Sequence, residues 1–220
     1  MIVIDEILDF IAPKYCQLTG EKIDSGFFSE KGFGILKIDK LILKENKNLG
    51  SATNSISLFS SSNEEIMKLI HKMKYYGKSD IAFELGVILG EKMIEEFSIF
   101  HGFDFIIPVP VHKTRLRERG YNQSLKIAEG IAQLLEINVL DDLVIRNRYT
   151  NSQATLNGSE RPENVKNAFS LNNKFDLNKI KNSNILLCDD VITSGSTIRE
   201  CALALKNLKI ELNAVSICVF

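Results

Sequence analysis

Apolar positions along this chain alternate between short unbroken runs and helical stripes. Phe103 to Val111, Leu143-Val144-Ile145, Ile185 to Cys188 and Leu212 to Phe220 read as strands. Between them lie stripes at three- and four-residue spacing: Ile66, Leu69, Ile70 and Met73; Ile81, Leu85, Ile88 and Leu89; Leu125, Ala128, Ile131 and Leu135; and Ile198, Cys201, Ala202, Leu205 and Leu208. The spacing predicts helices over 62–76, about 79–98, 121–135 and from 198 onward. The first opens on Ser62-Asn63-Glu64-Glu65, a capping box with Ser62 at the N-cap and Glu65 at N3. Strands alternating with helices predict a parallel sheet covered on both faces.

The first fifty residues carry a weaker pattern. Ile4, Ile7, Leu8 and Ile11 suggest a short amphipathic helix before Pro13. Residues 15–34 are rich in Gly and polar side chains and read as a loop or small irregular subdomain. Residues 33–44 alternate enough to suggest strand, the Asn/Ser stretch 46–57 reads as punctuation, and Ile56-Ser57-Leu58-Phe59 as another short strand. The expected division is a small amino-terminal region over 1–54 and an α/β domain over 55–220.

Bulk properties narrow the class. The chain has 220 residues, 45% hydrophobic and 25% charged, with net charge −1, an ordinary balance for a globular protein rather than a polyanion binder. No apolar run reaches the roughly 18–20 residues that span a bilayer, and MIVIDEILDF has acids where a secretory leader has a basic segment. Cys16, Cys188, Cys201 and Cys218 form no C-x-x-C pair and three of them sit in apolar runs. Buried, reduced thiols and a cytoplasmic location are the expectation.

The densest chemistry lies in Asn184 to Thr197, NILLCDDVITSGST. A strand leads to Asp189 and Asp190, then to Thr193-Ser194-Gly195-Ser196-Thr197 and a helix start. Gly195 permits a tight turn and close backbone approach to a ligand. Successive N–H groups in such a turn, with the hydroxyls of Thr193, Ser194, Ser196 and Thr197 and the positive end of the helix dipole, suit a phosphate. Without a Lys the loop is not a G-x-x-x-x-G-K-[ST] nucleotide loop. The acids cannot hold phosphate themselves; they suit a sugar diol or Mg²⁺. Diol beside phosphate describes a ribose 5-phosphate.

Two further segments bear charge. His112, Lys113, Arg115 and Arg119 belong to a cation-rich stretch just beyond the carboxyl end of the 103–111 strand, where open sheets bind ligands. Residues 146–170 have no clear period, and a segment of that length is either disordered or a functional lid. Arg146, Arg148, Arg161, Gln153 and Asn164 give it capacity for anions and amides. His71 lies off its helix's main stripe and reads as a packing or surface residue, and the helices at 62–98 read as structural.

The DDVITSGST stretch resembles the phosphoribosyl-pyrophosphate (PRPP) signature of the type I phosphoribosyltransferases. Three more segments are similar to one branch, the ComF-type phosphoribosyltransferase-like proteins of bacterial DNA uptake: MKLIHKMKYYGKSDIAFELG, PVPVHKTRLRERGYNQS, and Arg148-x-Thr150-x-x-Gln153 continuing to Arg161-x-x-Asn164-Val165. The resemblance covers about 55–220. It implies a type I phosphoribosyltransferase-like, Rossmann-like α/β fold, with a parallel sheet, helices on both faces and a small irregular amino-terminal region. It implies PRPP at Asp189, Asp190 and Thr193 to Thr197, pyrophosphate at His112, Lys113, Arg115 and Arg119, and a lid bearing Arg148, Gln153, Arg161 and Asn164. Mg²⁺ would accompany PRPP through Asp189 and Asp190.

Many ComF proteins begin with a zinc module of C-x-x-C pairs. Here Thr19 stands where the partner of Cys16 would fall and no second pair occurs at 21–35, so no zinc is expected. Purine-salvage relatives carry a further Asp at the loop start, where this chain has Thr193, which disfavours hypoxanthine or guanine as acceptor. The implied role is in competence and transformation, with single-stranded DNA or DNA-uptake and replication proteins as partners and no membrane. Two alternatives are a salvage or biosynthetic phosphoribosyltransferase with an orotate-type loop, and a non-catalytic phosphate-sensing module.

Overall fold

The computed structural model describes residues 14–45, 49–96, 102–150 and 164–220. The expected helix before Pro13 lies outside them. Six strands form one sheet in the order β3-β4-β10-β9-β5-β6. They are β3 (Ile42–Glu45), β4 (Ala52–Ser60), β5 (Phe105–Pro108), β6 (Asn138–Val139), β9 (Asn184–Ile192) and β10 (Glu211–Val219). All neighbours run parallel except the edge pair β3 and β4. This is the α/β architecture of a type I phosphoribosyltransferase-like fold.

The apolar runs of the central strands are continuous because both faces are buried. In β9, Leu186 and Cys188 enter one core and Ile185 and Leu187 the other. The first core is closed by α2 (Glu64–Tyr75), α3 (Ser79–Glu96) and α5 (Gln123–Leu135), the second by α6 (Ser196–Leu205) and a hairpin of β7 (Val144–Arg146) with β8 (Phe169–Leu171). Glycines allow α3 and α5 to touch backbone to backbone. A Cβ on Gly86 would fall 2.2 Å from the Ile127 carbonyl oxygen, and one on Gly130 would fall 2.3 Å from that of Phe83.

Several expectations need correction. Residues 33–44 do not form a strand: Glu30–Leu36 is a helix, α1, capped by Ser29, and only Ile42–Glu45 is extended. From Ala52 the Asn/Ser stretch is strand, not punctuation: β4, an inner strand beside the edge strand β3, begins there and takes in the expected strand at Ile56-Ser57-Leu58-Phe59. Its buried hydroxyls find partners there: Ser57 Oγ lies 2.7 Å from Ser216 Oγ, and Ser216 Oγ also donates to the Cys218 carbonyl. The cap of α2 is Asn63, not Ser62, with its side chain accepting from Ile66 N. The expected boundary at 54/55 falls inside β4, and β3 already belongs to the main sheet.

Ahead of the sheet, β1 (Lys14–Tyr15) and β2 (Lys22–Ile23) form a small hairpin against α1. Cys16 is buried there, its Sγ accepting from Thr19 N at 3.4 Å. Thr19 Oγ1 lies 3.3 Å from Ser29 Oγ, and both hydroxyls donate to Glu21. Gly32 closes the group so tightly that a Cβ would lie 2.8 Å from Cys16 Sγ. All four cysteines are free and buried.

Candidate active site

The site lies at the carboxyl ends of β5 and β9, where two helices start. Strand β9 carries the acids near its end and runs on to Ile192, because β10 continues pairing alongside: Ser216 stands opposite Asp189 and Cys218 opposite Val191. The turn after β9 is made by Gly195, with φ 71°, which caps α6 through its backbone alone. Ser194 Oγ and Ser196 Oγ lie 3.0 Å apart across this turn.

The second helix is α5. Asn122 caps it, accepting from Ser124 N at 3.1 Å, and ties it to the end of β5 by donating to the Val109 carbonyl at 3.0 Å. That cap sets Ser124 to donate to Asp189 Oδ1 at 3.0 Å, and the same oxygen accepts from Asp190 N at 2.9 Å. Burial, and next the charge of Asp190, push the Asp189 carboxyl up to about 7, with Lys74 and these hydrogen bonds opposing. Asp190 is paired: Lys74 Nζ from α2 lies 2.8 Å from its Oδ2.

Around the acids runs a cleft of about 590 Å³. Thr193 and Thr197 line it from the turn, Ser124 and Gln123 from α5, and Arg115, Arg119 and Arg146 from the basic side. Met67, Ile70, His71, Lys74 and Tyr75 contribute a wall from α2. Arg115 and Arg119 sit on α4 (Lys113–Arg119), a short helix that the cation-rich stretch forms. Arg115 donates to the Thr150 carbonyl at 2.8 Å, and Arg119 donates to Gln123 Oε1 and lies over the Tyr75 ring. Arg146 ends β7. Its guanidinium lies over Phe169 and donates to Thr150 Oγ1, while its Nε is buried with no hydrogen-bond partner. Burial, then the nearby Arg115, lower its pKa, and burial raises the Cys188 and Cys201 thiols behind the site.

The sequence-predicted residues divide accordingly. Asp189, Asp190, Thr193, Thr197, Arg115 and Arg119 meet in the cleft, and Ser194, Gly195 and Ser196 form the adjoining turn. His112 is the cap of α4, accepting from Thr114 N and packing edge-on against Tyr149, and Lys113 is exposed. Arg148 is turned to the Asn164 and Lys166 carbonyls, so it joins the two sides of the hairpin. Gln153 and Arg161 lie outside the described residues.

The sequence reading missed Lys74, Ser124 and the α2 wall. Helix α2, expected to be structural, reaches the cleft with His71, Lys74 and Tyr75. Nothing in its local pattern marks Lys74 among its lysines; only the packing that brings the end of α2 to Asp190 selects it.

Residues 122–220 match the phosphoribosyl transferase domain family. Competence protein F of Haemophilus influenzae is 39% identical over 106 residues, 48% of this chain and 45% of that protein. Over the matched segments the chain is similar to the ComF-type phosphoribosyltransferase-like proteins. DNA utilization protein YhgH of Escherichia coli (strain K12) and that of Shigella flexneri are each 32% identical over 142 residues, 63% of this chain and 60% of theirs. The chain thus spans about half the length of the curated relatives it matches. Among its described residues, no helix is long and apolar enough to cross a membrane.

Proposed function

We propose that this chain binds PRPP in the cleft and serves DNA uptake and transformation in the cytoplasm. The 5-phosphate would sit on the turn from Thr193 to Thr197, the ribose diol against Asp189 and Asp190, and the pyrophosphate beside Arg115, Arg119 and Arg146. The observation that supports this reading most is convergence. An acid pair, a hydroxyl-lined turn at a helix start and three guanidinium groups face one cleft, and no smaller anion needs all three. The names of the relatives, a competence protein and DNA utilization proteins, support the cellular role.

Mg²⁺ suits the donor set, because Asp189 and Asp190 offer carboxylate oxygens. Bound with PRPP, it would neutralise charge on the leaving pyrophosphate. The chain's own residues do the rest. Ser124 orients Asp189, the arginines hold the pyrophosphate oxygens, and the α2 wall keeps water from one side. Zinc does not suit the amino-terminal hairpin. The positions at C-x-x-C spacing there are Cys16 and Thr19, then Ser29 and Gly32, which give one thiol, two hydroxyls and no fourth side chain. Elemental analysis of the purified protein should find no stoichiometric zinc.

Titration calorimetry with PRPP and Mg²⁺ tests the site. The native protein should bind, and the double variant Asp189→Asn, Asp190→Asn should not; equal affinity removes the diol assignment. Single-stranded DNA binding across a salt series tests the role in uptake. A second reading, transfer of ribose 5-phosphate to a base, is favoured by Tyr75 and His71 on the cleft wall, a surface for a planar acceptor. Pyrophosphate release with a panel of bases separates it from PRPP binding without turnover.

A further inference from the structure

Lys74 has the only ammonium that reaches the acid pair among the ion pairs of the described residues. Three of the other four pairs join residues three apart on one helix, and the fourth, Lys31 with Glu21, has a lysine side chain 77% exposed. The Lys74–Asp190 pair joins two distant segments, with side chains only 25% and 13% exposed. Its geometry is held from behind. Tyr121 Oη and Gln123 Nε2 both donate to the carbonyl of Met73, the residue before Lys74. The end of α2 is thereby anchored to the start of α5, the helix that supplies Ser124 to Asp189.

We infer that Lys74 is a built-in counter-ion of the ribose site, supplying at Asp190 the positive charge that a divalent cation would otherwise have to bring. The inference rests on reading the cleft as a ribose-phosphate site. Two adjacent carboxyl groups accept most strongly from a diol when both are ionised, and each ion then opposes the other. A cation 2.8 Å from one of them offsets that repulsion. Lys74 binds one oxygen of Asp190, so the carboxylate is neutralised while it stays in the cleft with the diol-facing edge of the pair. In this arrangement Mg²⁺ is needed for the pyrophosphate but not for the sugar. The ammonium also makes α2 part of the site, because moving that helix withdraws the charge. Lys74 is a positioning residue, acting on the ligand through Asp190.

Ribose 5-phosphate is the discriminating probe, since it has the diol and the 5-phosphate but no pyrophosphate to carry Mg²⁺. Calorimetry is run with the full chain in EDTA and again in excess Mg²⁺, on native protein, Lys74→Met and Lys74→Arg, with thermal unfolding of each. Native protein is expected to bind equally in both buffers, within about threefold, and Lys74→Met to lose about tenfold or more in EDTA and to recover most of it in Mg²⁺. Lys74→Arg should keep most of the EDTA affinity. Recovery by Mg²⁺ is a response that loss of a merely structural tie would not give. Native protein that needs Mg²⁺ for ribose 5-phosphate overturns the inference without any variant. So does Lys74→Met that binds like native protein in EDTA, or that Mg²⁺ fails to restore. Folded native protein that binds the sugar phosphate in neither buffer removes the underlying reading of the cleft, an outcome distinct from the others.

Discussion

Ser124 Oγ donates to Asp189 Oδ1 at 3.0 Å, which links the first turn of α5 to the acid pair on β9. The two residues come from separate strand-helix units, so the carboxylate is aimed by the packing of one unit on the other. Ser124 is buried, and its hydroxyl has little freedom to turn elsewhere. Replacing it with Ala should leave the fold intact and weaken PRPP binding about tenfold, the usual worth of one hydrogen bond to a charged group. Calorimetry at fixed Mg²⁺ reads the change, and an unchanged affinity would show that Asp189 is held by its backbone partner alone.

Arg146 brings a half-buried guanidinium whose Nε is buried with no hydrogen-bond partner. A cation in that state is poised for an anion. Arg146→Met should lower affinity for PRPP by about tenfold or more while leaving ribose 5-phosphate within about twofold, because only the former has a pyrophosphate to fill the position. Parallel titrations with the two ligands make the comparison. An equal loss for both would place Arg146 at the 5-phosphate instead.

The raised carboxyl of Asp189 makes stability depend on pH. Between the ordinary Asp value of 3.8 and about 7 the folded chain keeps a proton that the unfolded chain has released. Stability from this group is therefore full below 3.8, falls as pH rises through that window, and levels off above it. Asp189→Asn should remove this fall. At pH 7.5 it should raise the unfolding midpoint by about 2–4 °C for each 1 kcal/mol relieved. Thermal unfolding from pH 4 to pH 8, native against variant, measures it.

Gly86 and Gly130 let α3 and α5 meet at the backbone, behind the helix that aims Ser124. Gly86→Ala should cost about 3 kcal/mol or more, since its Cβ would fall 2.2 Å from a carbonyl oxygen that no rotamer can move. Gly34→Ala, inside α1 with nothing near the added methyl, should be stabilising by up to about 1 kcal/mol. Chemical denaturation of both variants tests the contrast.

Much of this was legible from residue order. Periods of two kinds marked β5, β9, β10 and the four long helices, because burial on both faces of a parallel sheet and on one face of each helix writes itself into the apolar spacing. The Asp-Asp pair and the Thr-Ser-Gly-Ser-Thr turn were legible for a related reason. Their chemistry is local, carried by consecutive residues on one strand end and one helix start. Where the reading failed, the missing information was long-range. The first half of β4 is polar in sequence and only its run at residues 56–59 was legible; Ser55 is met there by the Lys44 carbonyl and Ser57 by Ser216 on the next strand. Residues 30–36 became a helix because Ser29 caps them and Leu36 is buried in the core.

By itself, then, the sequence determined the α/β alternation and the local acid-and-hydroxyl motif, since periodicity and contiguous chemistry depend on neighbours along the chain. Tertiary structure alone decided which cations face that motif. Arg115, Arg119 and Arg146 turn into the cleft while Lys113 and Arg148 do not, and Lys74 reaches Asp190 from another helix. A charge has no period, and the partner of a charged side chain is fixed only when separate elements pack together.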